Sequence, residues 1–478
     1  MTELPDADVE VQTRSLRKLR VILGVVGLLV IAASLVLLIW GDDLLLAATA
    51  GHFVTAPAAA SASRPNDRAE ADRQDLDALD QFATLDAGLT DQTRAAFETE
   101  RQAIAAHAGT LTPPQLALGV AKAVARAGNR ASRVDFAGNP AIFNRLPIRL
   151  ERFVEGVFIV AAQGPAVPLL GAKVETIGGK DLDELSAAYR PFAGGGTDSG
   201  RQAAGLWFLE SPSALNAVGL LPSPADAVLQ VTLPDGTAQS VTLAAIPGDA
   251  AARPEGWKEL LGTARPLSLR ELGRAFYGQA VADGLYLRLD RVEDDEHGPI
   301  GQQFAAPLSH FGPGSLRWAV LDLRRTASGS YTRIGRPLRN LPSLVPESGH
   351  VFVLTGPRTV GPGMIIASWT KALLGSRAII EGEPVGDTLQ FWSQEGPPLV
   401  LPNSGIVVDF ATAYHDLEHG CGGLSCYWPD KVYGVAAGSL APSVMVHWRF
   451  DDYRQGIDPI LARLADMTRS RELAAKSP

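Results

Sequence analysis

The residues with the densest chemical potential lie near the C-terminal end of the chain. His415, His419, Cys421 and Cys426 fall in one short stretch, with glycines at 420, 422 and 423. Imidazoles four residues apart and nearby thiols are the ligand types of a tetrahedral zinc site. The same cysteines, outside the cytoplasmic membrane, favour a disulfide that the glycines allow the chain to close. Free thiols are a third reading. A ring so short gains less than about 3 kcal/mol by loop entropy, so it would pin a local lid. The acidic run at 293–296 reads as a solvated turn or as a divalent-cation site. Residues 192–221 interrupt a strand-rich region. Their Gly194–Gly196 run lacks the Gly-Lys-Ser/Thr of a phosphate loop, so it reads as a flexible loop.

A different chemistry is suggested by residues 351–386, which the rest of the chain must position. An apolar, β-branched run at 351–354 has the length of a buried strand. A Gly/Pro-punctuated turn follows at 355–363, then an apolar helix at 364–374 and a second buried strand at 378–381. Such a crossover aims backbone N–H groups at whatever occupies the turn. Many hydrolases place a nucleophile there. This chain places Gly361 there, between Val360 and Pro362.

The stretch resembles the core of the tail-specific, or C-terminal-processing, serine peptidases, relatives of the tricorn core. Members read R-T-F-S-A-A after the strand, the serine being the nucleophile. Here the matching residues are Arg358, Thr359, Val360, Gly361, Pro362 and Gly363. Members also carry G-N-G-H-T or D-G-H-T upstream, where the histidine is the base in the tricorn-like branch. Gly128 and Asn129 fit that pattern, but Arg130 and Ala131 replace glycine and histidine. A serine needs a neighbouring base, and a methyl group cannot serve. The glycine turn that helps form the oxyanion hole, N-x-G-G after the strand at 318–324, reads Thr326, Ala327, Ser328 and Gly329, so only the last glycine survives. The resemblance thus implies an oxyanion turn at Ser328 and Gly329, completed near Pro362. Gly382-Glu383-Pro384-Val385-Gly386 matches the family's G-E-x-x-G turn, yet Asp387 stands where the Ser-Lys branch has its lysine. The resemblance covers roughly 75–466 and is most specific in the C-terminal half.

The surrounding segments fit that architecture. Residues 21–40 carry no charge. At about 1.5 Å per residue they span about 30 Å, the thickness of the hydrocarbon core. Arg14, Arg17, Lys18 and Arg20 precede them and Asp42 and Asp43 follow, which orients the N-terminus to the cytoplasm. A cleaved signal peptide is the rival, but the run exceeds a signal core of about 7–15 residues. The expected organisation is a cytoplasmic 1–20, an anchor at 21–40, a linker at 41–70, a helical domain at 71–147, a PDZ-like module at 148–250 and a peptidase-like core at 251–470. The fold class is α/β, with a crotonase/ClpP-like βαβ core. The net charge of −9 argues against nucleic acid as a partner.

Two functions remain open. In the first the chain is a membrane-anchored, extracytoplasmic pseudo-peptidase that binds a peptide or a protein C-terminal segment. In the second it is an active hydrolase with another nucleophile, for which Ser328, Ser330 and Ser368 are the nearest candidates. Ser368 lies two helical turns past Gly361, about 10 Å along the axis. No cofactor is implied. The resemblance and the alanine-rich composition point to a bacterial inner membrane, with the bulk of the chain periplasmic.

Overall fold

The structure, a computed structural model, describes residues 48–58, 63–137, 139–251, 255–262, 265–281 and 284–466. The apolar stretch at 21–40 lies outside them. Among the described residues no helix is long and apolar enough to cross a membrane.

Helices α1 (Arg68–Leu85), α2 (Asp91–Ala105) and α3 (Pro113–Val124) begin where their sequences say they should. Asp67 accepts from the Glu70 N–H. Thr90 with Thr93 and Thr112 with Gln115 form reciprocal capping boxes. Their apolar stripes bury Leu79, Phe82, Phe97 and Leu116. An antiparallel sheet follows: β1 (Ile148–Phe153), β2 (Gly156–Gln163), β3 (Lys173–Ile177), β4 (Asp226–Thr232) and β5 (Ala238–Ala244), paired in that order. Helix α4 (Leu182–Tyr189) leaves β3 through a turn at Gly178 and Gly179, with φ 62° and 77°.

The segment expected to be a flexible loop is instead ordered. It forms short helices at Asp198–Ala204, Leu206–Leu209 and Pro212–Ala217. Leu206, Phe208, Leu209 and Leu215 are buried. Their apolar area outweighs the glycines before them. These side chains join α1–α3, the antiparallel sheet and Leu399, Leu401, Ile406, Val408 and Phe410 in one hydrophobic cluster.

The second large sheet contains β6 (Phe276–Val281), β7 (Gly284–Leu289), β8 (Trp318–Asp322), β9 (His350–Thr355), β10 (Ala378–Gly382) and, at its edge, the short Val444–Met445 strand. Strands β7–β10 and the edge strand run parallel, and β6 pairs antiparallel with β7. Buried runs such as Val351–Leu354 are what a parallel sheet covered on both faces requires. Helices α5 (Ile300–Leu308) and α6 (Gly335–Leu344) belong to the connections, and α7 (Pro362–Leu374) carries the chain from β9 to β10. Helix α7 buries Met364, Ile366, Ala367 and Trp369 completely, as a helix apolar all round must. A polar network pins the last helix to this sheet. Tyr286 donates to Asp322 (2.7 Å), and Arg324 bridges Asp322 and Asp458 (2.7 Å each). Asp458 in turn accepts the Ile460 N–H at 3.1 Å. Beyond β10 a two-stranded ribbon, β11 (Gln390–Ser393) and β12 (Ala413–Asp416), precedes the short helix α8 (Trp428–Tyr433).

Candidate active site

Ligands of open parallel sheets bind beyond the carboxyl ends of the strands. Here β9 ends at Thr355 and the chain turns sharply into α7. Side-chain and backbone bonds hold that turn. The Thr359 hydroxyl donates to the Leu323 carbonyl at 2.9 Å and accepts the Gly356 N–H at 2.9 Å. The Val360 N–H reaches the Thr326 carbonyl at 3.1 Å. Arg358 grips Glu151 through both its terminal nitrogens, at 3.0 and 2.9 Å, tying the turn to β1. Gly361 then adopts φ 49° and ψ −116°, a region that L-residues avoid, and starts the helix. A Cβ built on Gly361 would meet nothing within 4 Å. The turn therefore presents a strained, outward-facing position with no side chain on it.

That position opens into a cavity of about 440 Å³. Ala131 lines the same cavity, as do Ser328, Gly329, Ser330 and Pro362. The structure thus gathers the residues that the sequence proposed from stretches far apart in the chain. Ser368 is excluded: it is buried in α7 and its hydroxyl has no partner. Ser328 donates to Glu293 at 2.7 Å, and Ser330 lies 2.8 Å from the Thr332 hydroxyl. Gly329 sits at φ 92°, where an added Cβ would fall 2.3 Å from the Val292 carbonyl oxygen. Only glycine fits there. The Ala131 loop is held by Ser132, whose hydroxyl donates to Asp86 and whose N–H donates to the Asn129 side-chain oxygen at 2.9 Å. Arg130 and Asp387 also face the cavity. Burial lowers the Arg130 guanidinium below its ordinary value and raises the Asp387 carboxyl.

A second constellation borders the cavity, built from the ribbon and α8. Phe391 pairs with His415 across β11 and β12. Ser393, two residues on, shares that face. The ring of His415 stacks on Phe391 at 4.7 Å. His415 is wholly buried, with Nδ1 2.5 Å from Asp430 Oδ2 and Nε2 2.8 Å from Ser393 Oγ. Tyr331 donates to the other Asp430 oxygen at 2.6 Å. Burial, then Asp430 itself, pushes the Tyr331 phenol well above its ordinary value, so it stays a donor. Glu395 Oε1 lies 3.0 Å from Ser393 Oγ, and burial raises its carboxyl despite the nearby imidazole. Ser393, Glu395 and Asp430 were not singled out from the sequence. They stand in no recognisable motif, and the alternation of Phe391 and Ser393 along one strand is the only sign of a shared face.

The zinc reading of this region does not hold. Cys421 and Cys426 are joined in a disulfide, which removes both thiolates. His415 is engaged by Asp430 and Ser393, while His419 is exposed and pairs with Asp416. The acidic run serves the local fold. Asp294 accepts the Ile300 N–H at 2.9 Å, and Asp295 accepts those of Ala275 and His297 at 3.1 and 2.9 Å. Ligand atoms of Asp295, Glu296 and His297 do lie within 4.8 Å of one another.

No family model and no curated protein matches this chain. Solved structures do. Mature CPAF superposes with a TM-score of 0.54 at 13% identity, over 82% of this chain and 96% of its own. Mature CPAF complexed with lactacystin gives 0.54 at 14%, over 83% and 98%. The fold resembles that of CPAF. The photosystem II D1 C-terminal processing protease follows at 0.35 and 11%, over 79% and 93%. At such identities the likeness to CPAF concerns the fold alone.

Proposed function

We propose that this chain is a membrane-anchored, extracytoplasmic homologue of the tail-specific peptidases whose cavity binds a polypeptide segment and whose elbow no longer supplies a nucleophile. The carrying observation is Gly361 itself. Its backbone keeps a strained conformation suited to presenting a side chain to the cavity, and there is no side chain to present. Ala131, in place of a base, lines the same cavity. Losing both members of a nucleophile–base pair removes the proton transfer on which acyl transfer at that point depends. The cavity remains open, edged by Trp392, Phe391 and Ile365 for apolar side chains and by Arg130 for an anionic group. The uncharged residues 21–40, with basic residues before and acidic ones after, support the anchor and the side of the membrane.

The test is fluorescence anisotropy of fluorescein-labelled peptides from a denatured-protein digest, titrated with the full chain in detergent micelles. Ala131→Trp should obstruct the cavity and abolish binding while circular dichroism stays unchanged. Binding that survives this substitution would rule out the cavity as the peptide site.

A further inference from the structure

We propose that Ser393, His415 and Asp430 form a nucleophile–base–orienter triad that hydrolyses carboxylic esters or amides in the cavity, with no side chain needed at Gly361. This goes beyond peptide binding, and it does not depend on matching Gly361 or Ala131 to any family position.

With Nδ1 as the protonated ring nitrogen, the hydrogen bonds run in one direction from the far end. Tyr331 donates to Asp430 Oδ1, which leaves Oδ2 to accept from His415 Nδ1 at 2.5 Å. A proton on Nδ1 leaves the Nε2 lone pair of the neutral ring to accept from the Ser393 hydroxyl at 2.8 Å. These are the roles that define a serine nucleophile with an oriented base, whatever the order of residues along the chain. A polar network that merely satisfied a buried histidine would end in the core. This one ends at Ser393, half-buried on the cavity wall beside Trp392 and Glu395.

The chemistry balances within these groups and water. Ser393 Oγ attacks the carbonyl carbon as its proton passes to His415 Nε2. The C–O or C–N bond then breaks as Nε2 returns that proton to the leaving alcohol or amine. Water, deprotonated by the same nitrogen, cleaves the acyl–serine ester and restores the hydroxyl. The N–H of Gly361, a residue that lines the same cavity at the start of α7, has no acceptor among the described residues and is a donor available to a developing oxyanion. The apolar side chains Phe391, Trp392 and Ile365 favour an apolar acyl group. Glu395 competes for the Ser393 proton from 3.0 Å.

The experiment treats the full chain in detergent micelles with a fluorophosphonate probe and maps the adduct by tandem mass spectrometry. The expected result is an adduct on Ser393, absent in Ser393→Ala and formed about 10⁴-fold more slowly in Asp430→Asn. No adduct, an adduct on another serine alone, or an undiminished rate in Asp430→Asn would overturn the proposal. Should Asp430→Asn not fold, Ser393→Cys carries the test. The introduced thiol, beside the His415 ring, should react with iodoacetamide at neutral pH about 10-fold faster than free glutathione. Equal rates would overturn it. Peptide anisotropy reads a different quantity, so failure of the binding proposal and failure of the triad are separable.

Discussion

Gly361 shows how much one hydrogen atom can decide. A Cβ at this position meets no neighbour within 4 Å, so the first obstacle to a side chain is conformational. Holding an L-residue in that backbone region costs on the order of 1–3 kcal/mol. Gly361→Ser should therefore fold, with its urea midpoint lowered by an amount of that size. It should gain no fluorophosphonate adduct at position 361, because Ala131 offers no base. Labelling at the introduced serine would mean that another group in the cavity takes the proton. The same scale explains what the sequence hid. Ser393 and His415 are 22 residues apart and His415 and Asp430 are 15 apart, with no repeated spacing to mark them. Their convergence needs the β11–β12 register and the docking of α8, neither of which is written in local pattern.

Elements were more legible than residues where burial imposes a pattern. Strands β7 to β10 are mostly apolar, β9 unbroken over Val351–Leu354, and α7 follows a Pro/Gly turn, so period and punctuation sufficed. The helices between 198 and 217 escaped because pieces of four to seven residues complete too few turns to show a period. Among the elements that hold the core sheet, β8 and the C-terminal helix are joined by Asp322, Arg324 and Asp458. Burial alone would raise the Asp322 carboxyl. Arg324 and Tyr286 outweigh it and hold that group below its ordinary value. A depressed carboxyl stabilises the fold above its unfolded value of about 3.9, and that stability is lost as pH falls through the folded value. Denaturation midpoints measured from pH 7 to 3 should fall on acidification in the wild-type chain, and less steeply in Asp322→Asn. The disulfide acts over a shorter reach. It closes a ring with a separation of 5 residues between His415 and Asp430. The double substitution Cys421→Ser and Cys426→Ser should lower stability by less than about 3 kcal/mol, measured by urea unfolding.

At the scale of the molecule, the described residues from Phe53 onward form one compact unit. The reason lies in Leu399, Leu401, Ile406, Val408 and Phe410, which belong to the same hydrophobic cluster as α1–α3. Each such side chain contributes roughly 1.5–3 kcal/mol on full burial. A chain ending at residue 398 should keep its far-ultraviolet helix signal only in part. It should also lose slow hydrogen exchange in α1–α3, although those helices lie far upstream of the cut. Protection equal to that of the intact chain would show the N-terminal helices to be self-sufficient.

This interleaving sets a schedule for biosynthesis. Synthesis runs at about 5–20 residues per second, so α1–α3 wait roughly 15–60 s after leaving the ribosome before residues 399–410, the last part of their cluster, exist. Through that interval the greasy stripes are only partly covered, which leaves the nascent polypeptide prone to clumping.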